Sequence, residues 1–504
     1  MLPGRSLLGS RCARIGVTAA LLVLPVRADH PKDFMTALDG MRTHNLAVVD
    51  KTFLRSASGR GADRLLSLYE LGGFYHLGGE SKKSMDFFNT ADQVAHDYEG
   101  TAVVSAGQAA QTAGATLLND SLLRFEGYGY DKVMSHTLNA MNYLAVGDLE
   151  GARVEVRKAE EYQKLERDRH QKEVQKAQAR QPGAENARVD NPAVQAAYGP
   201  MFDFARKVRN SFENAFTYYL ASQIFLAQGE EGLNDAMVEI RRAFELAPEA
   251  PAVRDAYLEI ARAQGGTALD QAKADLRVAE GATAADPRAT GEVVVCYEVG
   301  LVPRLEEVKI NLFAINRLYS LAFPIYRNLG PSQGPLTIAP PPPARIAVTS
   351  TIVDTRALAV KSLQERMPGI LTRGLLGAIA RGEMQKKAEK NYGFFGGLVA
   401  MAASAAVTNA DLRSWLSLPA EVQVAKCNLA PGPSTLTLTG PGWVEVVPLD
   451  IAPGSHTFLM VRAFPGYRRI VTRTFAPEGA GVPSMVPAAP AAALIDPPAA
   501  PVSQ

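Results

Sequence analysis

Apolar positions recur at helical spacing between Arg64 and Ala247. Past Ala285-Asp286-Pro287 they recur at every second residue, so a helix-forming half gives way to a strand-forming one. Glu292–Val299 is a β-branched and apolar run, Glu307–Phe313 alternates, and Arg345–Val353 is β-branched again. Pro331, Pro335 and Pro340–Pro343 lie between the last two and read as a stiff surface crossing. Helical spacing returns over Thr355–Lys390, where Pro368 predicts a break, and continues through the Gly- and Ala-rich Phe394–Val407. The result is an inserted helix pair whose second member falls short of the ~20 residues a bilayer span requires. Strands are expected at Glu421–Cys427, Ser434–Leu438 and Trp443–Val447. Two echoing turns, Leu429-Ala430-Pro431-Gly432 and Ile451-Ala452-Pro453-Gly454, each launch a strand, because Pro presets one φ of a type II turn and Gly supplies the positive one.

At 504 residues the chain exceeds one core. The fold class expected is α+β and multidomain. A helical domain occupies 29–284 and the first β strands 285–330, followed by the Pro-rich crossing at 331–344. A β-rich, sandwich-like domain occupies 345–476 with its helical insertion at 355–408, and an Ala- and Pro-rich disordered tail 477–504. Within the helical domain, 101–127 predicts a further apolar helix pair. The stretch 158–181 predicts an exposed helix with opposite charges three and four apart, and 251–281 a short helix pair. Pro182, Gly183, Asn191 and Pro192 predict a loop over 182–199.

Three helical stretches superpose. The first carries Leu68, Leu71-Gly72, Tyr75, Ser84, Phe88 and Ala91. The second carries Tyr143, Gly147-Asp148, Ala152, Val156 and Ala159, with Ala140 in place of Gly72. The third carries Tyr218, Phe225, Gly229, Ala236, Ile240, Ala243 and Pro248. This spacing resembles the tetratricopeptide repeat (TPR), a helical hairpin of about 34 residues. Such hairpins stack into a solenoid whose concave side is lined by the first helix of each repeat. Spacing places Tyr69, His76, Thr137, Met141, Tyr219 and Gln223 there, and rings, Met and amides suit an extended peptide or protein segment.

The N-terminus adds a compartment. Arg5, Arg11 and Arg14 precede an acid-free apolar run to Val26, and Val26-Arg27-Ala28 fits a signal peptidase, so 1–28 reads as a secretory signal. Cys12 precedes the run, where cleavage cannot leave it as a lipid-bearing first residue. Cys296 and Cys427 are expected as two packed thiols, although an oxidising space permits pairing. Lys and Arg number 53 against 52 Asp and Glu, which argues against a nucleic-acid partner.

Candidate chemistry is sparse. The seven histidines, His30, His44, His76, His96, His136, His170 and His456, are scattered. The sequence holds no His-Glu-x-x-His, Cys-x-x-Cys, Gly-x-Gly-x-x-Gly or phosphate loop. No metal, cofactor or catalytic set is therefore expected. Asp411, Arg413 and Trp415 form the one polar-aromatic cluster outside the repeats. It would either grip a carboxylate or sugar ring or, the preferred reading, lock a helix end onto a sheet.

The stretch Ile451–Phe475, with Pro465-Gly466-Tyr467, resembles the second half of the small β modules called PEGA domains. The order of repeat helices, Glu292–Gly300, the long helix from Thr355, Asp411–Trp415 with Leu418-Pro419-Ala420, and Pro-Gly-launched strands resembles a family of TPR-containing envelope proteins of Gram-negative bacteria. Members are commonly lipoproteins, some encoded beside lipoproteins that activate penicillin-binding proteins. The resemblance implies a non-enzymatic scaffold of the periplasm or outer-membrane periphery. Its partner would be another envelope protein or peptide segment, in peptidoglycan-synthesis or surface-organelle machinery, with peripheral membrane association allowed. A cell-wall-acting enzyme and a membrane-associated assembly factor are the alternatives. This chain departs from the family in lacking a cysteine at the cleavage point.

Overall fold

A computed structural model describes residues 30–109, 123–177, 188–277, 290–342, 344–405 and 409–476. The expected signal, the tail and the middle of the 101–127 helix pair lie outside them. Eleven described α-helices precede the first strand: α1 (His30–Arg42), α2 (Leu46–Ser58), α3 (Arg64–Gly78), α4 (Ser81–Ala109), α5 (Gly129–Val146), α6 (Leu149–Ala177), α7 (Pro192–Ala205), α8 (Ala215–Leu226), α9 (Leu233–Leu246), α10 (Pro251–Gln264) and α11 (Gly266–Leu276). They pack in chain order, each on its predecessor, except that α8 follows α6 because α7 leaves the row.

Local chemistry sets the hairpins. Gly79 and Gly147 end α3 and α5 in the left-handed conformation, and their N–H groups return to carbonyls of the last turn. Gly72 lets the second helix of its hairpin come close, since a Cβ there would sit 2.5 Å from the Phe88 ring. The expected loop at 182–199 is corrected in part. Asn191 accepts the Ala193 N–H as an N-cap and Pro192 occupies the first turn of α7, a position where its missing N–H leaves no bond unmade.

Three sheets follow. Strands β1 (Gly291–Val299), β2 (Glu306–Ala314), β3 (Arg317–Ile325), β4 (Thr337–Ala339), β5 (Ala347–Val348) and β6 (Ser350–Asp354) precede helix α12 (Thr355–Ala405). After it come β7 (Glu421–Leu429), β8 (Gly432–Gly440), β9 (Trp443–Ile451), β10 (His456–Phe464) and β11 (Tyr467–Phe475). A five-stranded sheet runs β11-β10-β1-β7-β6, a four-stranded sheet β5-β4-β8-β9, and β2-β3 is a separate hairpin. β1 pairs parallel to β10 and antiparallel to β7. Gly432 and Gly454 hold positive φ in the two Pro-Gly turns, as a type II turn demands.

Two expectations are corrected. The insertion is one helix rather than a pair, with Pro368 inside α12. The Pro-rich crossing carries β4, whose Ile338, with the adjoining Leu336, is fully buried between the two larger sheets.

The molecule is thereby layered, with β1 at the centre and buried on both faces. Val293, Val295 and Tyr297 face the four-stranded sheet, whereas Val294 and Cys296 join Phe458, Met460, Val422 and Val424 against the helices. Cys296 and Cys427 lie on adjacent strands as free thiols. Cys427 is paired in register with Val293, so it belongs to the opposite face from Cys296 and the two cannot join.

Gly72→Val should lower stability by about 1–3 kcal/mol through the clash with Phe88. Gly199→Ala, in α7 with nothing within 4 Å of the added carbon, should leave it equal or raise it. Chemical denaturation of the two variants compares these outcomes.

Candidate functional site: the seam between helices and sheet

One side of the helical row packs against the chain's own β half. Residues 409–420, between α12 and β7, thread beneath α3. Trp415 is fully buried there, stacked on Tyr69 at 4.9 Å between ring centroids and set edge-on to Phe88. Its Nε1 donates to Ser417 Oγ at 2.6 Å. The buried Glu70 carboxylate accepts the backbone N–H groups of Leu416 and Ser417 at 2.7 and 3.1 Å, and His30 Nε2 lies 3.1 Å from it. Gly73 makes room, because a Cβ would land on Ser417 Oγ.

Arg413 closes the entrance. Its guanidinium donates to both carboxylate oxygens of Asp411 at 2.8 and 2.7 Å and to Asp63 at 2.8 Å, and Tyr128 donates to its carbonyl. Asp411, Arg413 and Trp415 thus fasten the segment to the helices.

Further along, His76 Nδ1 lies 2.7 Å from Asn142 Oδ1 and Nε2 3.0 Å from Glu298 Oε2 on β1. Asn142 donates on to Ser84 Oγ, which donates to the Gly72 carbonyl. Burial opposes ionisation of Glu298, but His76 and Arg462 outweigh it and hold its pKa below the usual carboxylate range. Lys426 on β7 reaches Glu259 of α10 and Glu292 of β1, while Tyr467 donates to the Leu77 carbonyl. The seam is stitched from α3 to α10.

The expected open surface is corrected on this geometry. Tyr69, His76, Thr137, Met141, Tyr219 and Gln223 all face inward, and every one is buried. Tyr69 meets Trp415, His76 meets Glu298, and Thr137 Oγ1 meets Thr217 Oγ1 at 2.7 Å. No other polypeptide reaches them while the β half is seated.

Sequence reasoning missed Glu70, whose signal was a lone carboxylate inside Leu68-Tyr69-Glu70-Leu71. It also missed His136, held between Asp92 Oδ1 at 3.2 Å and Glu155 Oε2 at 2.7 Å where α4, α5 and α6 meet. Glu70 and His136 each bond across element boundaries and hold those elements together. Among the described residues no group of three or more His, Cys, Asp or Glu is placed to hold a metal ion, and no described helix is long and apolar enough to cross a membrane.

Several buried groups make stability depend on pH. Burial pushes the carboxyls of Asp131 and Glu239 up to about 7. Burial disfavours charge on His136, but hydrogen bonds to Asp92 and Glu155 outweigh it and raise its pKa. A raised pKa contributes stability that is complete below the unfolded value and lost as pH climbs through the folded one. Asp92, Glu155 and Glu298 are instead held low against the pull of burial, and their contribution is lost as pH falls below the usual carboxylate range. Melting temperature should therefore peak near pH ~4–5 and decline from there to pH ~7 as Asp131 and Glu239 ionise, with His136 adding a loss above its ordinary value. Asp131→Asn, which keeps an acceptor for the Tyr128 N–H, should flatten the decline between pH ~4 and pH ~7. Arg413→Ala leaves Asp63 and Asp411 facing each other across the entrance and should cost about 3–5 kcal/mol. Thermal unfolding would show this as a lower midpoint for the whole molecule.

Compared with known protein families, curated proteins and solved structures, the chain finds no match in any of the three.

Proposed function

We propose that the protein is a non-enzymatic scaffold of the bacterial cell envelope, in which a TPR-like solenoid grips the chain's own β domain and partners dock on the outside. The observation that carries this reading is the filled inner side of the helices: all six residues expected to receive a partner are buried, with Tyr69 against Trp415 and His76 against Glu298 of the β half. The TPR reading is supported by three hairpins at the repeated positions, by Gly79 and Gly147 at their turns, and by Gly72 against Phe88.

An outer surface suited to a protein partner exists on the four-stranded sheet. Val348 pairs with Thr337, Thr337 with Thr439, Thr439 with Val444, and Thr437 with Val446. Val348, Val444 and Val446 are 51%, 59% and 59% exposed, and these cross-strand rows carry no charge. Depletion of charge is what distinguishes the core of a protein interface from ordinary surface.

A photo-crosslinking residue at Thr437 should give one discrete adduct in intact cells. The double substitution Val444→Lys with Val446→Lys should abolish it without moving the melting temperature. An adduct obtained from position 69 instead, or release of peptidoglycan fragments by the purified protein, would overturn the proposal.

A further inference from the structure

Strand β11 is an open edge. It ends the five-stranded sheet on one side and pairs only with β10, in unbroken register from His456↔Phe475 to Phe464↔Tyr467. Among the described residues no backbone group of Tyr467–Phe475 bonds to any element beyond β10, so alternate N–H and C=O groups along its nine residues point outward unpaired. Sheet edges are commonly blunted by Pro, by a bulge or by a covering element. The edge strand β9 of the other sheet carries Pro448 together with Glu445 and Asp450, whereas β11 has neither Pro nor an acid.

What β11 carries instead is Arg469 and Arg473. Their partners across the ladder, Arg462 and Phe458, place both on the helix side of the sheet, with Val471 between them. Each guanidinium lies against the glycine that ends a helix: a Cβ on Gly79 would come 2.9 Å from Arg469 Nη1, and one on Gly147 2.5 Å from Arg473 Nη2. The carbonyl end of a helix favours a cation, so α3 and α5 hold the two groups in position. They do not satisfy them. Nε and Nη1 of Arg469 and Nε of Arg473 donate to nothing among the described residues. Burial pulls the Arg469 pKa down, and Tyr467 and Glu298 restore it only in part. Glu298 is already bonded to His76 and shared with Arg462. The acids of the two helix turns, Glu80 and Asp148, are exposed, and Asp148 accepts the Gly151 N–H instead. Arg468, on the opposite face of β11, is taken by Glu445.

This surplus of positive charge selects the occupant. A second copy of β11 laid along the first would bring arginine beside arginine, which like-charge repulsion disfavours. The chain's own 477–504 segment has acids only at Glu478 and Asp496, with prolines between them, so it cannot offer two at the spacing of Arg469 and Arg473. An extended segment with acidic residues four apart can. Side chains on a strand alternate, so both carboxylates fall on one face about 13 Å apart, matching the two arginines, and the residue midway faces Val471.

We infer that β11 is a docking edge for an acidic strand of another protein, which extends the five-stranded sheet and sets an acid-x-apolar-x-acid stretch against Arg469, Val471 and Arg473. In this mode the backbone bonds supply affinity and the alternate side chains supply selectivity. The inference concerns a different sheet from the exposed valine rows and does not rest on the scaffold reading. It is tested by fluorescence anisotropy of the full chain with a labelled acetyl-Thr-Glu-Thr-Val-Thr-Glu-Thr peptide, which should bind saturably and more weakly as salt is raised. The analogue with Gln in place of both Glu should bind about tenfold more weakly or worse, as should one whose two Glu are three apart, since one carboxylate then faces the wrong side. Both comparisons leave the protein unaltered, so folding of a variant does not enter. Arg469→Gln and Arg473→Gln should each lose about tenfold, while Arg468→Gln should bind as the wild type does. Methylation of alternate peptide amides should abolish binding in one phase of the alternation and spare it in the other. The inference is overturned if the wild-type chain does not bind the acidic peptide, if it binds the Gln analogue equally well, or if Arg469→Gln and Arg473→Gln both bind as tightly as the wild type.

Discussion

One buried carboxylate organises the molecule. Glu70 lies inside the apolar face of α3 and is satisfied by two backbone N–H groups that belong to the far end of the chain, at Leu416 and Ser417. A buried carboxyl group without hydrogen-bond partners is expensive, so helices parted from this segment are a poor resting state for this sequence. Trp415 supplies the apolar half of the same contact by covering Tyr69 and Phe88. Helices and sheet consequently stand or fall together, and their boundary behaves as an interior rather than as a hinge.

The other charges along the seam add selectivity. His76 with Glu298, and Lys426 with Glu259 and Glu292, are pairs whose members come from different layers. Such pairs contribute little net stability when matched, because desolvation offsets attraction, but a displaced sheet would leave each one alone. The register between layers is therefore fixed by polar contacts, while the apolar residues around them supply most of the driving force.

Much of the architecture was legible in the sequence because periodicity and turn chemistry are local. The change from period 3.6 to period two, the glycine at 147, and the Pro-Gly turns at 432 and 454 all reappear in the fold. What the sequence hid is non-local. A residue lining a groove has the same pattern whether the groove holds another protein or a later stretch of its own chain, so Met141 and Tyr219 could not declare their partner. Helix α12 passes Pro368, and β4 lies inside a Pro-rich stretch, because tertiary packing overrides local preference in both places. Arg413 and Trp415 were recognisable as a cluster, yet only the fold reveals that they face Asp63 and Tyr69.

The parallel pairing of β1 with β10 has a consequence for how the molecule comes into being. β1 ends at Val299 and β10 begins at His456, so the central strand waits for one of its two neighbours until nearly the whole chain has been synthesised. Contacts this distant in sequence form slowly, because a large loop must close first. Throughout that interval the early hairpins carry an uncovered apolar groove, which makes them a natural client of chaperones wherever the chain folds.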